Sequence, residues 1–322
     1  MIGAPRRFSV PGTILVLGEY AVLEEGGLGI AVAVERRAYA AVAPGTSLLI
    51  TSSWGGGTIS WTPENPGTSR LLSACVAVVE EWLGAEKNQP IRWGTTISMD
   101  SSAFFAADGR KTGFGSSAAA AVAAVAALLM AAGVAVRQNM PLAHRLAVAA
   151  HRRAQGGVGS GYDVTTSLNG GTGVFHGGAF PTWETRALGS RPQLLTFAGA
   201  NAVQTAPAVQ RYGEWKCRNP EAAREFLADS NEAVKGFLGA PSPREAAPWF
   251  VKARRLGIAL GDEIGVPAVI EPPVGLDPEW CKSLGAGNEM GVCLVWNTRQ
   301  ENGVGMAVEP VVTAREGLRW EE

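Results

Sequence analysis

A short loop of glycine and serine, Gly113-Phe114-Gly115-Ser116-Ser117, has residue types that can hold a phosphate group, and an alanine-rich segment follows it directly. Glycine tolerates backbone torsions that bring several N–H groups together around an anion, and a helix start adds unpaired N–H groups and a partial positive charge. The serine hydroxyls can bond a phosphate oxygen or ligate Mg²⁺. The same pattern also describes a serine that caps a helix after a flexible turn. The loop has neither the G-x-x-x-x-G-K-[ST] nor the G-x-G-x-x-G spacing.

A second turn, Gly159-Ser160-Gly161, leads into Tyr162 and Asp163. A carboxylate in this position can face a cleft and orient an acceptor group. The alternative is that Asp163 only forms an Asx turn or caps a helix. The residues of this turn alone are compatible with either role.

The composition is that of a globular chain of 322 residues, long enough for two medium-sized domains. Its formal net charge of −1 provides no overall attraction for nucleic acid or an anionic membrane, so any phosphate must be bound by local geometry. The four cysteines are scattered, which predicts reduced cytosolic thiols rather than a disulfide framework or a zinc site. The three histidines are too dispersed for a histidine-built metal site.

The uncharged stretch at residues 117–136 is long enough to cross a bilayer, but most of it is alanine. Alanine contributes little to transfer into lipid and packs well where a helix lies close to a sheet. The N-terminus makes a poor signal peptide, because Pro11, Gly12 and Glu19 interrupt its apolar run. We therefore expect a buried core helix, no membrane segment and a cytoplasmic protein.

The hydrophobic periodicity predicts an α+β arrangement of elements around these turns. Strands are predicted at residues 13–17, 29–34, 38–43, 47–53, 58–62, 91–99, 193–198, 292–296 and 305–310, with a glycine hairpin at 54–57. Helices are predicted at residues 69–83, 117–136, 142–155, 221–238 and 248–260. The glycine-rich passage at 170–178 is predicted to be the junction between two domains.

Three motifs in this order resemble those of the GHMP kinases, the superfamily of galactokinase, homoserine kinase, mevalonate kinase and phosphomevalonate kinase. Residues 11–23 (PGTILVLGEYAVL) resemble the opening motif, residues 111–119 the phosphate loop, and Gly285-Ala286-Gly287 the third motif. The resemblance covers essentially the whole chain. It implies a ribosomal protein S5 domain 2-like N-terminal domain at residues 1–178 and a ferredoxin-like C-terminal domain at residues 179–322.

Within the superfamily, residues 19–23, 111–117 and 150–164 resemble the phosphomevalonate kinases most. This resemblance implies Mg²⁺-dependent transfer of the ATP γ-phosphate to (R)-5-phosphomevalonate, giving 5-diphosphomevalonate in the mevalonate route to isoprenoids. It implies catalytic roles for Asp163 and Lys111, and a metal-binding role for Ser117. The residues expected to bind ATP are Lys111, Gly113, Gly115, Ser116, Ser117 and Ala118. The residues expected to bind the acceptor are Glu19, Tyr20, Ser160, Gly161, Tyr162 and Gly287.

Several of these side chains have a structural alternative. Glu19 can form a salt bridge instead of binding substrate, and His151 is expected to cap or pack. Arg152 and Arg153 can add charge to the site, but arginines on a helix more often form surface pairs. Trp54 and Trp61 can flank an adenine or pack across a hairpin.

The sequence departs from the family pattern at two places. The opening motif usually has a basic residue where this chain has Thr13, and Lys111 or Arg6 is the expected substitute. The third motif continues with Asn288-Glu289-Met290-Gly291, in which Glu289 is the expected acidic residue. Two alternatives follow: a kinase for mevalonate or another small molecule, or a GHMP-fold protein that binds a metabolite but transfers phosphate weakly. The expected partner is a small-molecule substrate, not nucleic acid or a membrane, and the chain is expected to be a monomer or homodimer.

Overall fold

Two sheets form the framework of the chain, whose computed structural model describes residues 6–87, 94–187, 193–199, 204–295 and 308–321. The first sheet contains β1 (Arg6–Leu17), β2 (Leu28–Pro44), β3 (Leu49–Trp54), β4 (Gly57–Trp61), β5 (Thr95–Asp100), β6 (Thr172–His176), β7 (Thr182–Thr185) and β12 (Arg319–Glu321). Its strand order is β12-β1-β2-β5-β3-β4, and β6 pairs with both β2 and β7. The second sheet contains β8 (Gln193–Ala198), β9 (Cys281–Leu284), β10 (Gly287–Val295) and β11 (Val308–Pro310), in the order β11-β8-β10-β9.

Seven helices pack against these sheets within the described residues. They are α1 (Arg70–Lys87), α2 (Ser116–Ala131), α3 (Met140–Ala154), α4 (Tyr162–Asn169), α5 (Thr205–Arg218), α6 (Pro220–Gly239) and α7 (Pro243–Ile264). One apolar core includes side chains from both sheets, such as Ile14 of β1 and Val292 of β10. The predicted α+β class is confirmed.

The alanine-rich helix α2 lies in the centre of this core. Nearly all of its residues are buried, because alanine lets α1, α3 and the first sheet approach it closely. The prediction of a core helix is therefore confirmed, although the helix ends at Ala131 and not at Val136. Among the described residues, no helix combines the length and hydropathy needed to cross a bilayer.

The two strands predicted at residues 29–34 and 38–43 are a single strand, β2. The charged residues between them do not break it, because Arg37 points inward and is only 4% exposed. Its guanidinium donates to the carbonyl oxygens of Ser9 at 3.3 Å and Glu316 at 3.2 Å, and also to that of Gly317. A buried guanidinium is tolerated when its N–H groups have acceptors.

The glycine-rich passage predicted as a domain junction contains regular structure. β6 occupies residues 172–176 and pairs with β2, and α4 immediately precedes it. β7 then pairs with β6, and β12 returns from the end of the chain to pair with β1. The division at residues 178 and 179 stays a prediction.

Other boundaries agree with the sequence to within a few residues, with clear exceptions. α4, α5, β6, β7, β9 and β12 were not predicted; β1 begins at Arg6 instead of residue 13, β10 begins at Gly287 instead of residue 292, and α7 begins at Pro243 instead of Pro248. Its earlier start has a local cause: Ser242 caps the helix, accepting from the Glu245 N–H at 3.3 Å. The predicted strand positions 91–93, 296 and 305–307 lie outside the described residues.

The expectation of four reduced thiols is wrong for two of them. Cys281 on β9 and Cys293 on β10 lie directly opposite each other, with Cα atoms 4.1 Å apart, and their sulfurs form a disulfide. Antiparallel pairing places these cysteines side by side, which sequence spacing could not reveal. Cys75 is a buried free thiol and Cys217 an exposed one.

Candidate functional site

The 113–117 loop turns into α2 through two glycines in the left-handed region. Gly113 has φ 77° and Gly115, the N-cap of α2, has φ 71°. A Cβ on Gly113 would lie 2.9 Å from Met290 Sδ, and one on Gly115 would lie 2.7 Å from Thr13 Oγ1. The loop is therefore held between β1 and β10, where both its torsions and its space require glycine.

The second turn has the same construction. Gly161 has φ 83° and is the N-cap of α4, which places Asp163 in the first turn of that helix. Asp163 Oδ1 accepts a hydrogen bond from the Val164 N–H at 2.9 Å, while its side chain remains 19% exposed. The partial positive charge of the helix N-terminus attracts an acidic side chain in this position.

Arg152 fixes the shape of this second turn from behind. Its guanidinium donates to the carbonyl oxygens of Gly159 at 2.9 Å and Ser160 at 2.8 Å. It also donates to those of Gly178 at 3.0 Å and Ala179 at 3.1 Å. The N–H groups of Arg152 are thus occupied by backbone carbonyl oxygens. The neighbouring Arg153 forms an exposed pair with Glu81, as expected for an arginine on a helix surface.

His151 lies between the two turns. Its ring is 3% exposed, with Nε2 3.1 Å from Ser117 Oγ and Nδ1 3.7 Å from Asp163 Oδ1. The expectation that it packs is incomplete, because it contacts a residue of each turn. The signal that could have revealed it is the position of His151 one helical turn before Gln155, at the end of the helix that leads into the second turn.

Glu19 belongs to a buried ion pair at the edge of the cleft. Its carboxylate contacts the ammonium of Lys282, which is 3% exposed and also donates to the carbonyl oxygens of Val16 at 3.2 Å and Ser283 at 2.8 Å. Burial raises the pKa of Glu19, and the charge of Lys282 opposes that effect. No sequence motif pointed to Lys282, which approaches from β9.

Tyr20 joins the opening motif to the third motif. Its hydroxyl donates to the Ala286 carbonyl oxygen at 2.6 Å, and its backbone has φ 62°, which is unusual for a residue other than glycine. Burial raises the pKa of the Tyr20 hydroxyl, so it stays a protonated donor. The 285–287 turn is thereby held against the first sheet.

One cleft collects nearly all of the predicted site residues. It is lined by Glu19, Tyr20, Lys111, Gly113, Gly115, Ser116, Ser117, Ser160, Gly161, Tyr162, Asp163 and Gly287, and also by His151, Gln155 and Glu289. Ala118 is fully buried below it, and its N–H donates to the Gly115 carbonyl oxygen at 3.1 Å. The binding roles of these residues stay predictions.

Lys111 is the lysine that lines the cleft within the described part of the chain. Arg6, the other expected substitute for the missing basic residue, pairs with Val42 at the far end of β1. Thr13 is 1% exposed, and its hydroxyl has no hydrogen-bond partner in the described structure. Trp54 and Trp61 are not among the lining residues; Trp61 is buried, and its indole donates to Ser73 Oγ at 3.0 Å.

The oxygen atoms available in the cleft fit a magnesium ion that is bound to a nucleotide. Among the described residues no three His, Cys, Asp or Glu side chains are grouped to hold a metal by themselves. Magnesium bound to a nucleotide usually takes one or two protein oxygens and several from phosphates and water. Ser117 and Asp163, joined through His151, offer oxygens of that kind.

Comparisons with known proteins agree with this fold. Residues 70–171 match the family model described as the GHMP kinases N terminal domain. A phosphomevalonate kinase of Saccharolobus solfataricus is 30% identical over 167 residues, which make up 51% of this chain and 47% of that protein. The matched region thus spans about half the length of this curated relative.

Solved structures show the same fold along almost the whole chain. The Lin0012 protein from Listeria innocua has 19% identity and a TM-score of 0.81, covering 99% of this chain and 100% of that one. The Streptococcus pneumoniae phosphomevalonate kinase in complex with phosphomevalonate and AMPPNP has 19% identity and a TM-score of 0.70, covering 95% of this chain and 99% of that one. Mevalonate kinases share the fold as well. Residues 70–171 are thus similar to the N-terminal domain of the GHMP kinases, and the fold of almost the whole chain is similar to that of phosphomevalonate and mevalonate kinases of known structure.

Proposed function

We propose that this chain is an ATP-dependent small-molecule kinase, and specifically a phosphomevalonate kinase. The observation that carries the proposal is the meeting of two helix N-termini in one cleft, each preceded by a left-handed glycine, Gly115 or Gly161. A helix N-terminus binds anions through unpaired N–H groups and the helix dipole. One terminus suits the phosphates of ATP, and the other suits the phosphate of the acceptor.

The reaction forms a bond from the γ-phosphorus of ATP to an oxygen of the acceptor phosphate, while the bond to the β–γ bridging oxygen breaks and ADP leaves. The second pKa of a phosphate monoester is about 6, so the attacking oxygen is largely ionised near neutral pH. No strong base is required, and catalysis depends on alignment and neutralisation of charge. Asp163 would orient the acceptor side, and Lys111 would supply positive charge to the transferred group.

When bound with the nucleotide, Mg²⁺ supplies further charge neutralisation. The chain offers it the hydroxyl of Ser117 and the carboxylate of Asp163. The backbone N–H groups at the start of α2 serve the donor phosphates, and those at the start of α4 serve the acceptor.

The surroundings of Asp163 favour a phosphate acceptor over an alcohol. A kinase that deprotonates an alcohol would place the aspartate next to a lysine. In the described residues, the basic side chain found within 4 Å of the Asp163 carboxylate is His151, at 3.7 Å. The S. solfataricus relative named a phosphomevalonate kinase and the S. pneumoniae complex with phosphomevalonate support the same acceptor.

The test is an assay of the purified chain with ATP and Mg²⁺ against phosphomevalonate and mevalonate in parallel, followed by ³¹P NMR of the products. We expect a new diphosphate signal with phosphomevalonate and no turnover with mevalonate. Turnover of mevalonate alone would refute the acceptor and favour the mevalonate kinase alternative. Binding of both ATP and phosphomevalonate without turnover would favour the weakly catalytic binding protein.

A further inference from the structure

The ring of His151 contacts one residue of each turn through a different nitrogen. Nε2 lies 3.1 Å from Ser117 Oγ and 3.3 Å from Gln155 Nε2, and Nδ1 faces Asp163 Oδ1 at 3.7 Å. The ring is buried, and its helix α3 packs against both α2 and α4. The imidazole of His151 is thus the shared neighbour of Ser117, the candidate Mg²⁺ ligand, and Asp163, the residue proposed to orient the acceptor.

The neighbours of the ring define where its proton lies. The side-chain nitrogen of Gln155 is a donor only, and the oxygen of that amide lies beside Gly159. With this amide orientation Nε2 is the acceptor, and Nδ1 carries the ring proton. The Ser117 hydroxyl, 3.1 Å from Nε2, is nearer than the Gln155 nitrogen at 3.3 Å and is the better placed donor to the single lone pair of Nε2, while Nδ1–H faces the carboxylate of Asp163 at 3.7 Å.

This arrangement fixes the lone pairs of Ser117. A hydroxyl whose proton is directed toward the protein presents only acceptor lone pairs to the cleft, as a Mg²⁺ ligand must. A freely rotating hydroxyl would direct its proton toward the cation for part of the time. On the other side, Nδ1–H faces the carboxylate of Asp163 at 3.7 Å, a distance at which it attracts the carboxylate electrostatically without a direct hydrogen bond. Partners that orient a ligand in this way affect metal affinity or activity by about 10- to 100-fold.

We propose that His151 is a positioning residue that sets Ser117 for the nucleotide-bound Mg²⁺ through Nε2 and sets Asp163 for the acceptor through Nδ1. This inference rests on the proposed kinase function. It goes beyond it by assigning separate tasks to the two ring nitrogens. The donor and acceptor halves of the cleft are then aligned by one side chain.

Two substitutions separate the two nitrogens. In His151→Gln the terminal amide oxygen reaches the place of Nε2, so Ser117 keeps its acceptor and Asp163 loses its donor. In His151→Asn the amide nitrogen takes the place of Nδ1, so Asp163 keeps its donor and Ser117 loses its acceptor. His144→Gln is the matched control, because His144 lies two turns earlier on α3 and bonds Thr165 Oγ1 at 2.7 Å outside the cleft.

The first measurement is the affinity for AMPPNP with and without Mg²⁺, by calorimetry. We expect His151→Asn to weaken binding with Mg²⁺ by about tenfold and binding without Mg²⁺ by less than twofold. His151→Gln and His144→Gln should bind Mg²⁺–AMPPNP within about twofold of the unchanged chain. The second measurement is turnover, in which we expect kcat of His151→Gln to fall by about tenfold with little change in the KM for ATP.

A third measurement tests whether His151 affects the Mg²⁺-dependent affinity for AMPPNP by way of Ser117. In a Ser117→Ala background, His151→Asn should cause no further loss of Mg²⁺-dependent affinity. Equal behaviour of His151→Gln and His151→Asn, or an unchanged Mg²⁺ dependence in His151→Asn, would overturn the inference. The nucleotide measurements need no acceptor, so they support or refute His151 even if phosphomevalonate proves to be the wrong substrate. Thermal unfolding of each variant identifies any loss that comes from misfolding.

Discussion

The role expected of Asp163 depends on how few hydrogen bonds its carboxylate makes within the protein. One oxygen accepts from the Val164 N–H, as in an ordinary helix start, and the side chain still lines the cleft. A purely structural cap would be satisfied by this bond alone. The cleft, His151 and the adjacent turn make an additional role for the carboxylate the better interpretation.

We expect Asp163→Asn to lower kcat by at least about 100-fold, because the neutral amide lacks the negative charge that we propose orients the acceptor. The amide oxygen can still accept from the Val164 N–H, so the fold and the affinity for AMPPNP measured without Mg²⁺ should change little. Asp100→Asn is the matched control, because Asp100 Oδ1 accepts from the Ser102 N–H at 2.9 Å outside the cleft. Steady-state kinetics would contradict the assignment if Asp163→Asn kept turnover within threefold of the unchanged chain.

At the scale of elements, the site consists of two helix starts joined by a third helix. α2 and α4 each begin at a left-handed glycine and point their N-termini into the cleft, while α3 packs between them. Backbone N–H groups at a helix start are already fixed in place, so binding an anion there costs little side-chain conformational entropy. Their geometry depends on the glycine at each N-cap.

We expect Gly115→Ala to weaken AMPPNP binding by at least about tenfold and to destabilise the fold by more than about 1–2 kcal/mol, the cost of a left-handed non-glycine residue alone. The added Cβ would lie 2.7 Å from Thr13 Oγ1 and displace the loop. Gly133→Ala is the control, because Gly133 follows α2 with φ 79° and nothing within 4 Å of the new Cβ. Calorimetry should show normal AMPPNP affinity for Gly133→Ala; a matching loss in both variants would contradict the prediction.

The contact between α3 and α4 predicts a pH dependence of stability. Burial, with a smaller contribution from the positive charge of Arg152, lowers the pKa of His144 below its usual 6.5. The unfolded chain then binds a proton that the folded chain does not, so stability falls as the pH drops below 6.5 toward the lowered pKa. A single such proton changes the free energy of unfolding by at most about 1.4 kcal/mol per pH unit.

We therefore expect His144→Gln to lose less stability than the unchanged chain between pH 7.5 and 5.5. Urea unfolding at both pH values measures the difference, and comparison of the two chains cancels the contributions of other groups. Gln can retain the bond to Thr165, so stability at pH 7.5 should be similar. Identical pH dependence in the two chains would show that His144 does not contribute.

At the scale of the whole molecule, side chains from the two sheets meet behind the cleft. Lys282 of β9 pairs with Glu19 after β1, and Tyr20 bonds Ala286 before β10. Met290 of β10 packs where a Cβ of Gly113 would stand. The opening, second and third motifs are therefore held together by contacts between the sheets.

We expect Lys282→Met to lower the free energy of unfolding by about 3–5 kcal/mol, because it leaves the buried carboxylate of Glu19 without its partner. The double variant Glu19→Gln/Lys282→Met should recover much of that loss, since the remaining buried groups are uncharged. Urea unfolding of both single variants and the double variant measures the coupling. Additive effects, or a loss below about 1 kcal/mol for Lys282→Met, would contradict a strongly coupled buried pair.

Much of the fold and site follows from local sequence. The two glycine-serine turns, the alanine helix and most strand positions depend on torsional preference and periodicity, which residues close in sequence determine. The mistakes arose where buried partners override a local signal. Arg37 continues β2 through a charged segment because acceptors distant in sequence satisfy its guanidinium, and β6 forms within the glycine-rich passage because it pairs with β2.

By itself, the sequence determined the two glycine-serine turns and the carboxylate after the second turn, because each is a short segment with its own conformational preference. Only the tertiary structure decided that Lys282 neutralises Glu19, that Cys281 and Cys293 are opposite each other, and that His151 stands between Ser117 and Asp163. These pairs come from different elements, and Glu19 and Lys282 are separated by 263 positions. Their proximity results from sheet register and helix packing, which no local spacing encodes.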